Sequence, residues 1–236
     1  MTKENANCCA VIVAAGNSTR MGLEVSKLLV KLNGVPAIIR TLSAFDEADS
    51  IASCVLVCRY DEIETFQCFI EEYRIRKVFS VVRGGKTRQQ SVLAGIQAAP
   101  AEAMYFAVHD GARALVTPEE INLSVKDAVE FGASALAVPV KDTMKIVDSS
   151  GFVESTPERS RLWAVQTPQV FERRLYLKAA EQAHSDGADY TDDCQLVEYA
   201  GERVHLCRGL YTNIKLTTVD DISIAEEIIR NKEGSR

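Results

Sequence analysis

The sequence predicts a Rossmann-like α/β fold: a mostly parallel, twisted sheet with helices on both faces and one protruding β-hairpin arm. Three observations predict it. Short apolar runs alternate with amphipathic segments along the whole chain. Several of the runs are nearly continuous in apolar residues, the pattern of strands covered on both faces. Four of them end in glycine or polar residues, where open parallel sheets bind their ligands.

The first strand is expected at Ala10–Ala14. Further strands are expected at Ser53–Cys58, Lys77–Val82, Met104–His109, Ala133–Val140 and Arg203–Arg208. Helical patterns lie between them, at Ala37–Phe45, Asp61–Tyr73, Thr87–Ala98, Pro118–Phe131, Glu172–Asp186 and Asp193–Gly201. A last helix runs from about Asp220 to Arg230, with Asp220 or Asp221 as its N-cap. Strands separated by helices imply βαβ units with right-handed crossovers. Lys141 to Trp163 breaks the alternation. Short β-like runs there (Met144–Val147 and Gly151–Glu154) flank Ser149-Ser150-Gly151 and read as a hairpin leaving the sheet, either an extended dimerisation arm or a solvated hairpin. Arg159 with Trp163 to Gln169 forms a further candidate segment; the alternatives are that Thr167-Pro168-Gln169 is just a helix entry, ahead of the helical pattern Phe171–Ala183, and that Thr191-Asp192-Asp193 is only a capping segment. No repeat or linker divides the chain, so one domain over residues 1–236 with an arm at about 141–163 is the simplest organisation.

The net charge of -6 argues against a nucleic-acid-binding surface. No run approaches the ~18 apolar residues needed to span a membrane. Met1 to Asn7 carries an acid and is followed by no long apolar stretch, unlike a signal peptide. The seven cysteines form no C-x-x-C pair and no zinc spacing. Alternation places Cys54 and Cys58 on one strand face. Buried free thiols and a cytoplasmic location are expected.

The most informative stretch follows the first strand: Ala14-Ala15-Gly16-Asn17-Ser18-Thr19-Arg20-Met21-Gly22, with Lys27 five residues on. Small residues let backbone amides approach a ligand, and Arg20 and Lys27 supply fixed positive charge, the means by which a polyphosphate is held. The stretch is neither a P-loop, because Leu23 follows Gly22, nor a dinucleotide fingerprint, because only Gly16 and Gly22 are present. The alternative is an ordinary strand-to-helix turn with two solvated cations.

Other strand ends add candidates. Gly84-Gly85-Lys86, leading through Ser91, places glycines before a helix N-terminus, suited to reading a base edge through main-chain groups. Asp110 and Arg113 follow a very apolar strand; they could serve a metal–nucleotide complex and a phosphate, or form a structural ion pair. His109 reads as a packed strand-end residue rather than a general base. Lys141-Asp142-Thr143 follows another strand. Lys215 interrupts a strand-like segment and points either to a ligand or to solvent. No Ser/His/Asp order of a hydrolase is present, and phosphate chemistry needs no protein nucleophile.

In order along the chain, A-A-G-N-S-T-R-M-G, Lys27, G-G-K-T-R-Q-Q-S-V-L-A-G, V-H-D-G-A-R, P-V-K-D-T-M-K, Arg159 eight residues before T-P-Q, Y-T-D-D and N-I-K resemble the 2-C-methyl-D-erythritol 4-phosphate cytidylyltransferases. The resemblance implies a nucleotidyltransferase domain that joins CTP to the sugar phosphate with Mg²⁺ and releases pyrophosphate. It implies a homodimer whose arm reaches the partner's active site. Arg20 and Lys27 would stabilise charge, and Arg159 and Lys215 would position the sugar phosphate. Ala14, Ala15, Gly16, Asn17, Ser18, Thr19, Gly85, Lys86, Ser91 and Asp110 would face the nucleotide. Asp110, Arg113, Thr143, Thr167 and Thr191 would line the acceptor site, with Arg159 and Thr143 supplied by the neighbouring subunit. Lys86 stands where the family commonly has an acid, which leaves base recognition there to the backbone. The sister family that uses ribitol 5-phosphate tends to read A-G-G and H-D-S-V-R, against A-A-G and H-D-G-A-R here. A nucleotide-binding regulator on the same fold is the non-catalytic alternative, and retention of the cation set speaks against it.

Overall fold

The computed structural model describes residues 7–16 and 26–234. Strand β1 (Cys8–Val13) is followed by a small antiparallel pair, β2 (Lys31–Leu32) and β3 (Val35–Pro36), and by helix α1 (Ala37–Glu47). β4 (Ile51–Cys58), α2 (Ile63–Glu72), β5 (Val78–Arg83), α3 (Arg88–Gln97), β6 (Tyr105–Asp110), α4 (Pro118–Phe131) and β7 (Ala133–Pro139) continue the alternation. The second half comprises β8 (Ile146–Val147), β9 (Val153–Ser155), β10 (Trp163–Glu172), α5 (Arg173–Ser185), α6 (Asp193–Tyr199), β11 (His205–Arg208) and α7 (Asp220–Glu233).

Seven strands form the main sheet in the order β11-β7-β10-β6-β1-β4-β5. All neighbours are parallel except β10, which runs antiparallel to both β6 and β7. Strand β1 explains why the fold needs two helical layers. Its side chains alternate between two cores: Cys8, Ala10 and Ile12 enter one, and Cys9 and Val11 the other. Helices α1, α4 and α7 close the first core, and α3, α5 and α6 the second. Cys54 and Cys58 both fall in the first core, and all seven cysteines are free, six of them buried.

Local chemistry sets the element ends. Helix α4 opens with a capping box: the Thr117 hydroxyl accepts from the Glu120 amide, the Glu120 carboxylate accepts from the Thr117 amide, and Pro118 needs no partner for its nitrogen. It closes at Gly132, whose φ of 86° is costly for any residue with a Cβ. Gly95 lets α3 lie against the sheet, because a Cβ there would sit 2.4 Å from Val11 Cγ1 and 2.7 Å from Val57 Cγ2.

Three expectations are corrected. Thr167-Pro168-Gln169 does not start a helix; it lies inside β10, a central strand absent from the sequence reading. The pairing of β10 with β7 is interrupted between Val165 and Gln169, which accommodates a proline without an amide hydrogen. Neither Asp220 nor Asp221 is the N-cap of α7; both lie in its first turn, where the Asp221 carboxylate accepts the Thr217 and Thr218 amides. The segment carrying Lys215 is irregular rather than strand, and is anchored by the Leu216 amide donating to Ala112 O.

Strands β8 and β9 form a separate two-stranded hairpin outside the main sheet. The Asp148 carboxylate accepts the amides of Ser150 and Phe152 and so shapes its turn.

Candidate active site

In an open sheet ligands bind where consecutive strands depart in opposite directions. Here that point lies between β1 and β6: the chain moves from β1 to β4 and β5 on one side, and β6 sits on the other. A cleft opens above these strand ends. It is lined by Val13 to Gly16, Lys27, Leu28, Gly85 to Arg88, Ser91, Asp110, Ala112 and Lys215.

Close backbone approach builds its floor. A Cβ on Gly84 would lie 2.4 Å from Ala15 Cβ and 2.8 Å from Ser91 Oγ, so only glycine lets the turn after β5 meet the loop after β1. The Ser91 hydroxyl donates to Thr87 O at 2.9 Å and accepts from the Gly85 amide at 3.1 Å. It therefore shapes the turn that faces the ligand. Thr87 caps α3 by accepting the Gln90 amide.

Asp110, at the end of β6, is the electrostatic centre. Its Oδ2 lies 2.7 Å from Lys215 Nζ and 4.0 Å from Arg113 Nε, and its Oδ1 lies 3.6 Å from Arg88 Nε. Burial alone would raise its pKa. The three cations, led by Lys215, outweigh burial and hold the carboxyl at about 2. Lys215 thus points into the cleft rather than to solvent, and Lys27 Nζ donates to Leu216 O at 3.0 Å, beside it.

Arg113 Nη1 donates to Asn213 O at 2.7 Å, while its Nε is buried without a hydrogen bond and faces Asp110 Oδ2 at 4.0 Å. Thr167 is buried, and its hydroxyl accepts the Asp110 amide at 3.1 Å. Burial lowers His109 to about 3, so its ring is neutral. It is a packed residue, as expected, and contacts Phe45 at 4.9 Å between ring centroids.

Of the residues singled out from sequence, Ala14, Ala15, Gly16, Lys27, Gly85, Lys86, Ser91, Asp110 and Lys215 line the cleft. Arg113 and Thr167 adjoin it through Asp110. Asn17, Ser18, Thr19 and Arg20 lie outside the described residues. Thr143 and Arg159 stand on the exposed arm and do not line the cleft of their own chain; Arg159 Nη1 donates to Lys141 O. Thr191 is exposed, next to Asp192, which caps α6.

One residue of the cleft, a cation, escaped the sequence reading. Arg88 lines the cleft and joins Asp110 to the buried Asp193, whose other oxygen accepts the Tyr176 hydroxyl at 2.7 Å. A signal for it existed: Arg88 is the first residue of α3, the end of a helix that disfavours a cation. A cation there implies an acid nearby.

The chemistry available is that of a polyanion site: fixed cations and tight backbone turns around one carboxylate. Among the described residues no group of three or more His, Cys, Asp or Glu side chains is placed to hold a metal.

Residues 8–231 match the family 2-C-methyl-D-erythritol 4-phosphate cytidylyltransferase (IspD). The chain is 44% identical over 225 residues to the enzyme of that name from Caldanaerobacter subterraneus subsp. tengcongensis, covering 95% of this chain and 99% of that one. Its namesake from Bacillus licheniformis is also 44% identical, over 219 residues, covering 93% and 94%. Among solved structures, the 4-diphosphocytidyl-2C-methyl-D-erythritol synthase of Anaerococcus prevotii is 28% identical, with a TM-score of 0.84 over 95% of this chain and 96% of that one. The Thermus thermophilus cytidylyltransferase is 28% identical, with a TM-score of 0.75 over 94% and 98%. This chain, with its cation-ringed carboxylate at the switch point of a Rossmann-like sheet, belongs to the 2-C-methyl-D-erythritol 4-phosphate cytidylyltransferase family of nucleotidyltransferases.

Proposed function

We propose that this protein transfers CMP from CTP to 2-C-methyl-D-erythritol 4-phosphate, giving 4-diphosphocytidyl-2-C-methyl-D-erythritol and pyrophosphate, in isoprenoid synthesis. The observation that carries the reading is the convergence of Lys27, Lys215, Arg88 and Asp110 on one cleft at the strand ends. An acceptor phosphate oxygen attacks the α-phosphorus of CTP in line with the departing β-phosphate oxygen. One P–O bond forms, one breaks, and pyrophosphate carries away the electron pair. The attacking phosphate is already an anion, so no general base is required. Charge grows on the α-phosphoryl oxygens and the leaving group, where Lys27 and Arg20 stabilise it. Lys215 and Arg159 hold the acceptor phosphate, and the turn at Gly85 and Lys86 reads the base through its backbone.

Asp110 is the carboxylate that lines the cleft, and three cations already offset it. That donor set is no protein-built metal cage, and fits a divalent cation that enters on the triphosphate as part of the substrate. The arm reads as a dimerisation device. All of residues 141–163 except Asp148, Pro157 and Leu162 are exposed, including Met144, Ile146, Val147, Phe152 and Val153. A partner subunit would cover that surface and receive Arg159 and Thr143 at its own cleft. Free buried thiols suit a reducing compartment, and we place the protein in the cytoplasm.

The test is pyrophosphate release with Mg²⁺ and CTP, comparing methylerythritol 4-phosphate with ribitol 5-phosphate. Turnover with the first alone is expected. Turnover with ribitol phosphate alone would overturn the acceptor, and turnover with neither acceptor would overturn the reaction.

A further inference from the structure

The hydrogen bonds around His109 run through Thr167, Asn213 and Arg113 back to its own ring, and the two at that ring assign its tautomer. A carbonyl oxygen only accepts, so His109 Nε2, 3.3 Å from Arg113 O, carries the hydrogen. The ring is buried and neutral, so Nδ1 is bare and accepts the Thr167 hydroxyl at 3.0 Å. An amide only donates, so the same hydroxyl oxygen accepts the Asp110 N–H. Asn213 completes the path: its Nδ2 donates to Thr167 O at 3.0 Å, and its own carbonyl receives Arg113 Nη1. His109 itself does not line the cleft, yet the path's members are the backbones or side chains of Asp110, Arg113 and Thr167.

We propose that His109 is a positioning residue of the transfer reaction: as an Nε2–H imidazole it fixes the Thr167 hydroxyl as an acceptor, and thereby holds the Asp110 and Arg113 turn against the cleft. Two consequences follow. The orientation of Asp110 toward Lys215 and Arg88 depends on a proton that sits on a histidine outside the cleft. Any further group that meets Thr167 Oγ1 must also donate a hydrogen, so a polyol hydroxyl is accepted there and a bare phosphate oxygen is not.

The kinetic part of this inference rests on the cytidylyltransferase reading; the tautomer does not. The experiment compares His109→Phe with His109→Asn. Phenylalanine keeps a ring against Phe45 but loses both hydrogen bonds. Asparagine leaves space but can return an acceptor to Thr167. A positioning role predicts that the asparagine variant retains more kcat/KM for the sugar phosphate, by ~10-fold, although it melts lower. A packing role predicts the same order for activity and stability, which would overturn the proposal. Thr167→Val sharpens the test. If His109 acts through that hydroxyl, the double variant with His109→Phe loses no more activity than Thr167→Val alone, and additive losses would refute it. The ¹⁵N shifts of the three histidines provide a readout independent of activity. A neutral Nε2–H ring at His109 from pH 5.5 to 8 is expected, and a protonated Nδ1 there would also refute the proposal. A wild-type protein with the expected tautomer but no turnover would overturn the reaction and, with it, the assignment of His109 to that reaction.

Discussion

The cleft and the arm both carry residues singled out from the sequence, and they are built on opposite terms. In the cleft, buried polar groups are matched inside one chain: Asp110 to three cations, Thr167 to His109, and Arg88 to Asp193. Such networks hold charge in place before a ligand arrives, which is the condition for stabilising a transition state more than a ground state. In the arm, apolar groups are left unmatched. Phe152 is 73% exposed and Val153 58%, while the base is fastened by Lys141 Nζ over the Tyr211 ring at 3.7 Å and by the Val140 amide donating to Leu162 O. The contrast teaches that a firmly rooted segment with an unfinished surface differs from a flexible loop; it is positioned to be completed from outside.

Removing a charge from the cleft has the largest expected effect. Lys27→Ala should lower kcat by ~100-fold or more, as loss of a preorganised donor does. A loss under about threefold would remove Lys27 from the chemistry. Next comes the arm. Arg159→Ala should raise KM for the sugar phosphate by ~10-fold, with a smaller change for CTP. Mixing inactive Lys27→Ala with an Arg159→Ala protein should restore turnover by pairing an intact cleft with an intact arm. Verified heterodimers that stay inactive would argue for cleft and arm of the same chain. Ile146→Asp with Phe152→Asp should shift sedimentation to the monomer and abolish most activity, while the cleft keeps its fold.

The third prediction concerns pH. The folded-state value of His109 lies below its ordinary 6.5, at about 3. The folded protein then binds fewer protons than the unfolded chain, so stability is full above 6.5 and falls as pH drops toward 3. The loss between pH 6.5 and 5 should be about 2 kcal/mol, and His109→Phe should flatten that part of the profile. Burial lowers this value, and Arg113 lowers it further against the opposing pull of Asp110. Asp110, also depressed, adds its own loss only below its ordinary 3.8. The smallest effect belongs to a site in neither region: Thr117→Ala, removing the α4 cap, should cost ~1 kcal/mol in urea melts and leave KM unchanged.

The parallel strands and their helices were legible because strands buried on both faces must be nearly continuous in apolar residues, as β1 is throughout and β4 is from Cys54 to Cys58. The strand β10 was hidden for the converse reason. Its centre, Gln166 to Gln169, is polar and contains a proline, yet it is buried because Gln169 reaches Asp192 and the Cys194 amide. A polar strand in a sheet centre is specified by partners far away in sequence, which local pattern does not contain. Asp110 and Lys215 were found because each follows or interrupts an apolar run, and Lys27 because it flanks the small-residue loop after the first strand. Thr143 stood out only as part of a strand end, and the roles of Thr143 and Arg159 came only through the family resemblance, since nothing in an exposed hairpin distinguishes one polar residue from the next.

The late position of β10 has a consequence for synthesis. Strand β6 ends at Asp110, and β10, which covers its open side, begins only at Trp163. For the roughly fifty residues between, the nascent chain leaves the backbone edge of β6, apolar from Tyr105 to Val108, without its partner strand. At a translation rate of ~5–20 residues per second that interval lasts several seconds, long enough for chaperone capture or a wrong strand partner. The two halves of the sheet join only when this one reversed strand arrives, so the cleft is finished late even though most of its residues are made early.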